Sequence, residues 1–393
     1  MPSLVVVGGG AAGVFAAITA REANRRLDVT VLESLPQLLS KVKISGGGRC
    51  NVTHHCFDVD RLVTFYPRGG RELRGVFRRF GPSDVVRWFT KRGVALKTED
   101  DGRMFPVSDE SQTIIDCLLQ AASRARVALR TRVKAVDLPA ADFVLLASGS
   151  SPSGYRLAAS CGHSLVAPVP SLFTFNVSDE RLGGLAGVSM PSVRGRLSVG
   201  NQPAVVQDGP LLITHWGLSG PVVLRLSAWG ARPLHASQYH GQLWIDFFPA
   251  LQQDEVRARL LAQKQATPRK LAVNEGPLPM PKRLWERLLA HDGIEARQAW
   301  GDVSKATLGR LAESLKRSTF EVRGKGVFKD EFVTAGGVPL AEVDLKTMQS
   351  KKRAGLYLAG EILDVDALTG GFNFQNAWST GWIAGTAIAA AAG

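Results

Sequence analysis

The sequence predicts an α/β protein in which a discontinuous Rossmann-type domain is interrupted by an inserted β-barrel-like and helical domain. Three observations predict it. Val5 to Val7 run straight into a glycine turn and an Ala-rich stretch, the strand, turn and helix that open a βαβ unit. From about residue 166 to 249 the character changes to strands punctuated by Gly and Pro, followed by helical periodicity. From about residue 333 the chain returns to the strand-and-helix character of its start. At 393 residues it exceeds one ordinary core. The expected division is therefore 1–165 and 333–393 for the Rossmann-type domain, 166–250 for a β-rich insert, 251–317 for a helical subdomain and 318–332 for a return strand.

In the opening stretch Gly8, Gly10 and Gly13 stand at GxGxxG spacing, with Ala11 and Ala12 between the last two. The first glycine permits a tight turn, the second lets backbone N–H groups approach a pyrophosphate, and the third lets helix and strand pack closely. Phosphates would sit on the helix N-terminus, where unpaired N–H groups and the dipole favour negative charge. A second strand, Val29 to Leu32, ends in Glu33, the position from which an acidic side chain reaches the ribose hydroxyls of an adenosine.

Next comes a loop rich in backbone donors. Gly46, Gly47 and Gly48 allow close approach to a ligand, Arg49 offers a charged fork, and Asn51 offers an amide that donates and accepts. Lys41 and Ser45, which lead into it, count with it as cofactor-binding candidates. Cys50 reads either as a thiol beside a redox ring or as a small packed residue. Residues 58–127 carry helical patterning, with Ser83 or Asp84 as a helix start, and the stretch from Val127 to Leu138 reads as two short strands. In the insert, strands are expected to dominate up to about Pro249.

Lys and Arg outnumber Asp and Glu 48 to 35, for a net charge of +13. Such a balance admits an acidic partner such as nucleic acid. The cations are scattered along the chain, however, with only short clusters such as Lys351, Lys352 and Arg353, and no aromatic-interleaved RNA motif is present. A small-molecule substrate is the expectation. Four cysteines without a CxxC pair or a histidine at zinc spacing give no metal site. The apolar start lacks a basic n-region, and the C-terminal run from Trp382 to Gly393 is too short and Ala-rich to span a bilayer. A cytoplasmic protein with no membrane partner is expected.

The pieces GGGAAG (Gly8–Gly13), KISGGGRCNVT (Lys43–Thr53), GRMFPVSD (Gly102–Asp109), THWGLSGPVVLRLS (Thr214–Ser227), TAGGV (Thr334–Val338) and GLYLAGEILDVDALTGGFNFQNAWSTG (Gly355–Gly381) resemble, in one order, the HI0933-like flavoprotein family, grouped with NAD(P)/FAD-dependent oxidoreductases and related to aminoacetone oxidase and bile-acid reductase flavoproteins. The resemblance implies FAD as cofactor. It further implies Val133 at the adenine edge, and Ala147, Ser148 and Gly149 at a strand end returning to the phosphates. Gly360 with Glu361 or Asp364 would lie on ribitol or phosphate-side hydroxyls, and Gly370, Gly371, Asn373, Phe374 and Gln375 near the isoalloxazine, with a helix starting at about Phe374.

The insert carries no second nucleotide fingerprint. NADH or NADPH, if either is the reductant, would dock transiently at the flavin face. The implied activity is hydride transfer to or from a small organic substrate, with an NAD(P)H-linked reductase and an amine-type oxidase both open. The alternative is a flavin-retaining RNA- or protein-binding module. No catalytic residue is assigned. His215 in THWGLSGP is a general acid–base or a structural histidine, and Arg323, Lys325 and Lys329 line an anionic path or a solvated face.

Overall fold

The branched apolar run Leu4 to Val7 makes the first strand a largely buried one. A computed structural model describes residues 1–326 and 333–393. Strand β1 (Ser3–Val7) runs through Gly8 to Gly10 into helix α1 (Ala11–Ala23), and the chain returns as strand β2 (Asp28–Leu32), parallel to β1 with Val5 opposite Thr30. On the other flank of β1 lies the parallel strand Phe143–Leu146, followed by Leu356–Leu358. Ala128–Arg130 completes the parallel set beyond β2, and the hairpin Val343–Asp344 with Gln349–Ser350 adds antiparallel edge strands, giving seven in all. The stretch 127–138 thus supplies one strand and not the two expected, since 131–138 runs largely exposed outside the sheet.

The chain divides into two compact units, Met1–Val169 with Val333–Gly393, and Pro170–Phe332. In the first, the C-terminal helix (Phe372–Ala391) lies on α1. Gly381 meets the backbone of Ala12, and Gly385 that of Ala16. A side chain at either glycine would collide with those backbones, so the two helices touch main chain to main chain. They run parallel. The C-terminal helix therefore starts nine residues, about 13 Å at 1.5 Å per residue, before the level at which Gly381 meets α1.

Helix and turn starts differ from the sequence reading in ways the caps explain. The C-terminal helix opens at Phe372, behind Gly371 with φ +87°, rather than at Phe374. Pro82 opens its helix ahead of Ser83, as proline does in a first turn. The glycine loop is preceded by a short helix from Ser40 that breaks at Ser45 (ψ 150°), after which Gly46 and Gly47 turn left-handed.

In the second unit, six strands are ordered Ser318–Arg323, His240–Asp246, Ser189–Ser198, Val205–Thr214, Gly217–Ser219 and Phe175–Asn176. The last returns to the first: Asn176 N–H donates to Gly324 O at 2.9 Å and Phe175 bridges Lys325, which closes the sheet into a barrel. Pro221–Trp229 and Ala231–Ala236 are helices in a stretch where strands were expected to dominate. Pro221 starts the first, and Val222, Val223 and Leu226 bury into the barrel core. Helices Gln253–Ala266, Lys282–His291 and Lys305–Arg317 pack about Trp285, Trp300 and Leu308.

Candidate functional site

Gly8 to Gly13, Glu33 and Ala147 to Gly149 gather at the carboxyl ends of β1, β2 and Phe143–Leu146. Gly8 has φ +116°, and a Cβ there would lie 2.3 Å from Ala147 O and 2.8 Å from Ser148 Cα. A Cβ at Gly13 would lie 2.0 Å from Gly8 O. Both glycines are fixed by backbone approach. Gly10 differs, since a Cβ there meets nothing within 4 Å. It caps α1 with no side-chain bond, and the first turn of α1 contains no acid. Amide donors without a side-chain cap thus stand beside open space at a positive helix end.

Glu33 closes the far side of this turn. Its Oε2 accepts Gly9 N–H at 2.8 Å, its Oε1 accepts Leu35 N–H at 2.8 Å, and its carbonyl accepts Val133 N–H at 2.8 Å. Val133 itself is exposed beside it. Gly360 (φ +77°) approaches Ala12 and donates its N–H to Thr380 Oγ1 at 2.9 Å. Glu361 pairs with Lys41, accepts Thr334 N–H at 3.1 Å and lies beside Gly149.

The glycine loop and the C-terminal helix are joined. The Asn51 side-chain oxygen accepts Gly371 N–H at 3.0 Å, and its nitrogen donates to Thr53 O at 3.0 Å. Gly371 cannot carry a side chain, because Thr53 O lies 2.5 Å from its Cβ position. The helix that Gly371 caps has neither a side-chain cap nor an acid in its first turn. Two uncapped helix N-termini, staggered along parallel axes, are therefore offered in this unit.

Other candidates turn out to hold the frame. Gln375 is fully buried, with its amide spent on Thr53 Oγ1 at 2.6 Å and Ser379 Oγ at 2.8 Å. Asn373 clamps Ala367 N–H and O, each at 3.0 Å, and so shapes the loop ahead of the helix. Phe374 stacks on Trp378. Arg49 lies over Phe105 and pairs with Glu99 and Asp109. Ser45, Gly46, Gly47 and Gly48 form the turn itself, with open space at the last two. Cys50 is fully buried, and burial pushes its thiol up to about 12, so the small packed residue is the reading the structure supports. His215 lies exposed in the turn Thr214–Gly217 of the second unit, as Trp216 does. Lys329 falls outside the described residues.

Polar atoms buried without a partner test whether a dinucleotide fits. Among the described residues these include Ser148 Oγ, Tyr155 OH and Asn376 Oδ1. Burial raises the Tyr155 phenol, and the Glu361 and Asp364 carboxylates raise it further. Asn376 sits one turn ahead of Thr380, whose hydroxyl holds Gly360. Buried orphans are costly, and here they adjoin the glycine turn and the Glu361 loop. With the open space at Gly10 and two uncapped helix ends, the residues present fit a dinucleotide cofactor. Asn376, Tyr155 and Thr380 were not found from sequence; the polar NAWST run inside an otherwise apolar helix signals Asn376 and Thr380, and nothing local signals Tyr155.

Comparisons with known proteins follow the same division. A family model described as the HI0933-like protein Rossmann domain matches residues 2–148, and one described as the HI0933-like protein barrel and H2TH domain matches residues 169–333. The chain is 30% identical over 412 residues to the 3-dehydro-bile acid delta(4,6)-reductase of Clostridium scindens, covering 99% of each. It is 29% identical over 409 residues to the ribosomal RNA dihydrouridine synthase of Escherichia coli, covering 96% of each. A solved 3-ketosteroid delta1-dehydrogenase from Sterolibacterium denitrificans is similar at TM-score 0.51 and 12% identity over 100% of both chains, which is a likeness of fold. No helix among the described residues is long and apolar enough to cross a membrane.

Proposed function

The chain belongs to the HI0933-like protein family, and on that premise we propose that it is an FAD-dependent reductase that saturates a carbon–carbon double bond conjugated to a carbonyl. The observation that carries this is the pair of staggered, uncapped helix N-termini. One is placed for a pyrophosphate. The other, held by Asn51 and Gly371, is placed for the electron-rich edge of a flavin ring. FAD, when bound, supplies the hydride chemistry.

The direction of the reaction rests on the two curated relatives. A bile-acid delta(4,6)-reductase and a dihydrouridine synthase act on different molecules, yet both names describe addition of two hydrogens across a C=C bond. Hydride adds to one carbon and a proton to the other. This favours the reductase over the amine-type oxidase, with NADH or NADPH as the transient reductant.

In this reading the chain's own groups hold and orient. Gly8, Gly10, Ala11, Ala12 and Gly13 present amides to phosphates, with Ala147, Ser148 and Gly149 beside them. Glu33 reaches the adenosine ribose next to Val133, and Glu361 with Lys41 and Asp364 faces the ribityl side. Gly370 and Gly371 border the ring.

A second reading of the substrate is favoured by the +13 charge and by the ribosomal RNA relative: the double bond is that of a uridine within RNA. The first test is release of the chromophore from purified protein by denaturation. Stoichiometric FAD supports the reading, and a colourless protein that takes up no FAD contradicts it.

A further inference from the structure

Cations scattered in sequence are gathered by the fold of the first unit. Helix Gly70–Arg79 carries Arg71, Arg74 and Arg78 at i, i+3 and i+7, so they share a face. Arg79, at its end, donates to Lys346 O. Lys346 belongs to the edge hairpin Val343–Ser350, which continues into Lys351, Lys352 and Arg353. All eight side chains are exposed. Between helix and hairpin lies a cavity of about 830 Å³ whose walls include Arg71, Glu72, Asp344, Lys346 and Lys351.

Acids stand in this groove as well, with Glu72, Asp344 and Asp364 in its wall beside Arg68, Arg71, Lys346 and Lys351. Asp344 accepts Lys346 N–H at 3.0 Å and the Thr347 hydroxyl at 3.1 Å, and Asp60 pairs with Arg74 and Arg78. Two residues of the groove adjoin the candidate site. Tyr66 lines it and donates its hydroxyl to Phe372 O at 2.7 Å, in the first residue of the C-terminal helix, while Asp364 lines it from the loop that follows Glu361.

Resting on the reading of an RNA uridine as substrate, we infer that this groove is the track for the RNA phosphate backbone. The exposed cations of the groove and its rim, Arg71 on the helix and Lys346, Lys351, Lys352 and Arg353 on and after the hairpin, are more than a single phosphate takes and suit several along a strand. The described walls present one tyrosine, which is buried. The groove therefore reads charge and leaves the base to the redox site, the division of labour of sequence-tolerant RNA binding.

The test uses flavin-loaded full-length protein and a uridine-containing ribosomal RNA fragment, followed by fluorescence anisotropy over a salt series. Combined Arg71→Glu, Lys346→Glu, Lys352→Glu and Arg353→Glu should weaken binding at least tenfold. It should also lower the slope of log K against log salt by about 3, at roughly 0.7–0.9 for each phosphate no longer neutralised. Flavin content and melting temperature should stay unchanged, which shows that the variant is folded. The milder pair Lys352→Ala with Arg353→Ala should weaken RNA binding about threefold. A control with Arg257→Glu, Arg259→Glu and Arg297→Glu in the second unit should bind within twofold of wild type. If wild type binds RNA and the groove variants bind it equally well, the groove is overturned while RNA as substrate stands. If wild type binds no RNA at any salt, both fall.

Discussion

Asn51 and Gly371, from opposite ends of the chain, are joined by a hydrogen bond of 3.0 Å from the Gly371 N–H to the Asn51 side-chain oxygen. Asn51 is 9% exposed, so an apolar replacement leaves a buried N–H and the Thr53 carbonyl without their partner. Asn51→Leu should cost about 1–3 kcal/mol. It should also loosen the helix start that faces the proposed ring. Thermal melting of apoprotein and flavin retention on gel filtration check this, and FAD retention should fall more steeply than stability.

Two glycines of the same turn should fail in different ways. Gly10 has φ −83° and open space around its Cβ position, so Gly10→Leu should fold with unchanged melting yet purify without FAD. Gly13 faces Gly8 O at 2.0 Å from its Cβ position. Gly13→Val should lower apoprotein stability by about 1–3 kcal/mol or more. A yellow, fully loaded Gly10→Leu variant would show that the phosphate anchor lies elsewhere.

The Cys50 thiol gives a pH dependence of defined sign. Its folded pKa of about 12 is raised above the ordinary thiol value of 9.0, chiefly by burial. The folded state therefore holds the proton more tightly than the unfolded state. The resulting stability is fully present below pH 9 and is lost as pH rises towards 12. It is on the order of 4 kcal/mol. Denaturant unfolding of wild type against Cys50→Ala between pH 8 and 11 should show a steeper alkaline loss in wild type. All four cysteines are buried, so native protein should react slowly with a thiol reagent at neutral pH, and turnover of Cys50→Ala should remain within about twofold.

Glu361 gathers Lys41 and the Thr334 N–H on a partly exposed carboxylate. Because such a pair adds little to stability, Glu361→Gln should leave the melting temperature nearly unchanged. Its effect should appear in cofactor affinity, as about a tenfold rise in the FAD Kd measured by titrating apoprotein. Equal losses of stability and affinity would make Glu361 a structural tie only.

What could be read from the sequence was local. The glycine turn, the acid ending β2 and the alternating strands of the insert are patterns within a few residues of each other, and their physical reasons are short-range. What escaped it was set by distant partners. Gly381 and Gly385 look like ordinary small residues in an Ala-rich helix until Ala12 and Ala16 are laid against them. Gln375 looks like a ligand contact until Thr53 and Ser379 take both ends of its amide. The helices between Pro221 and Ala236 were hidden because β-branched valines follow a strand and a proline. Arg71, Lys346 and Lys351 line one groove only because the fold brings remote segments together.

The central claim is reduction of a conjugated C=C bond at a flavin held by these two helix ends. It is tested most directly by reducing the purified protein anaerobically with NADH or NADPH and then adding, without oxygen, either a steroid enone or uridine-containing ribosomal RNA. The account predicts that one of the two reoxidises the flavin and gains two hydrogens by mass. Reduced flavin that is reoxidised by oxygen alone, with both substrates recovered unchanged, would contradict it.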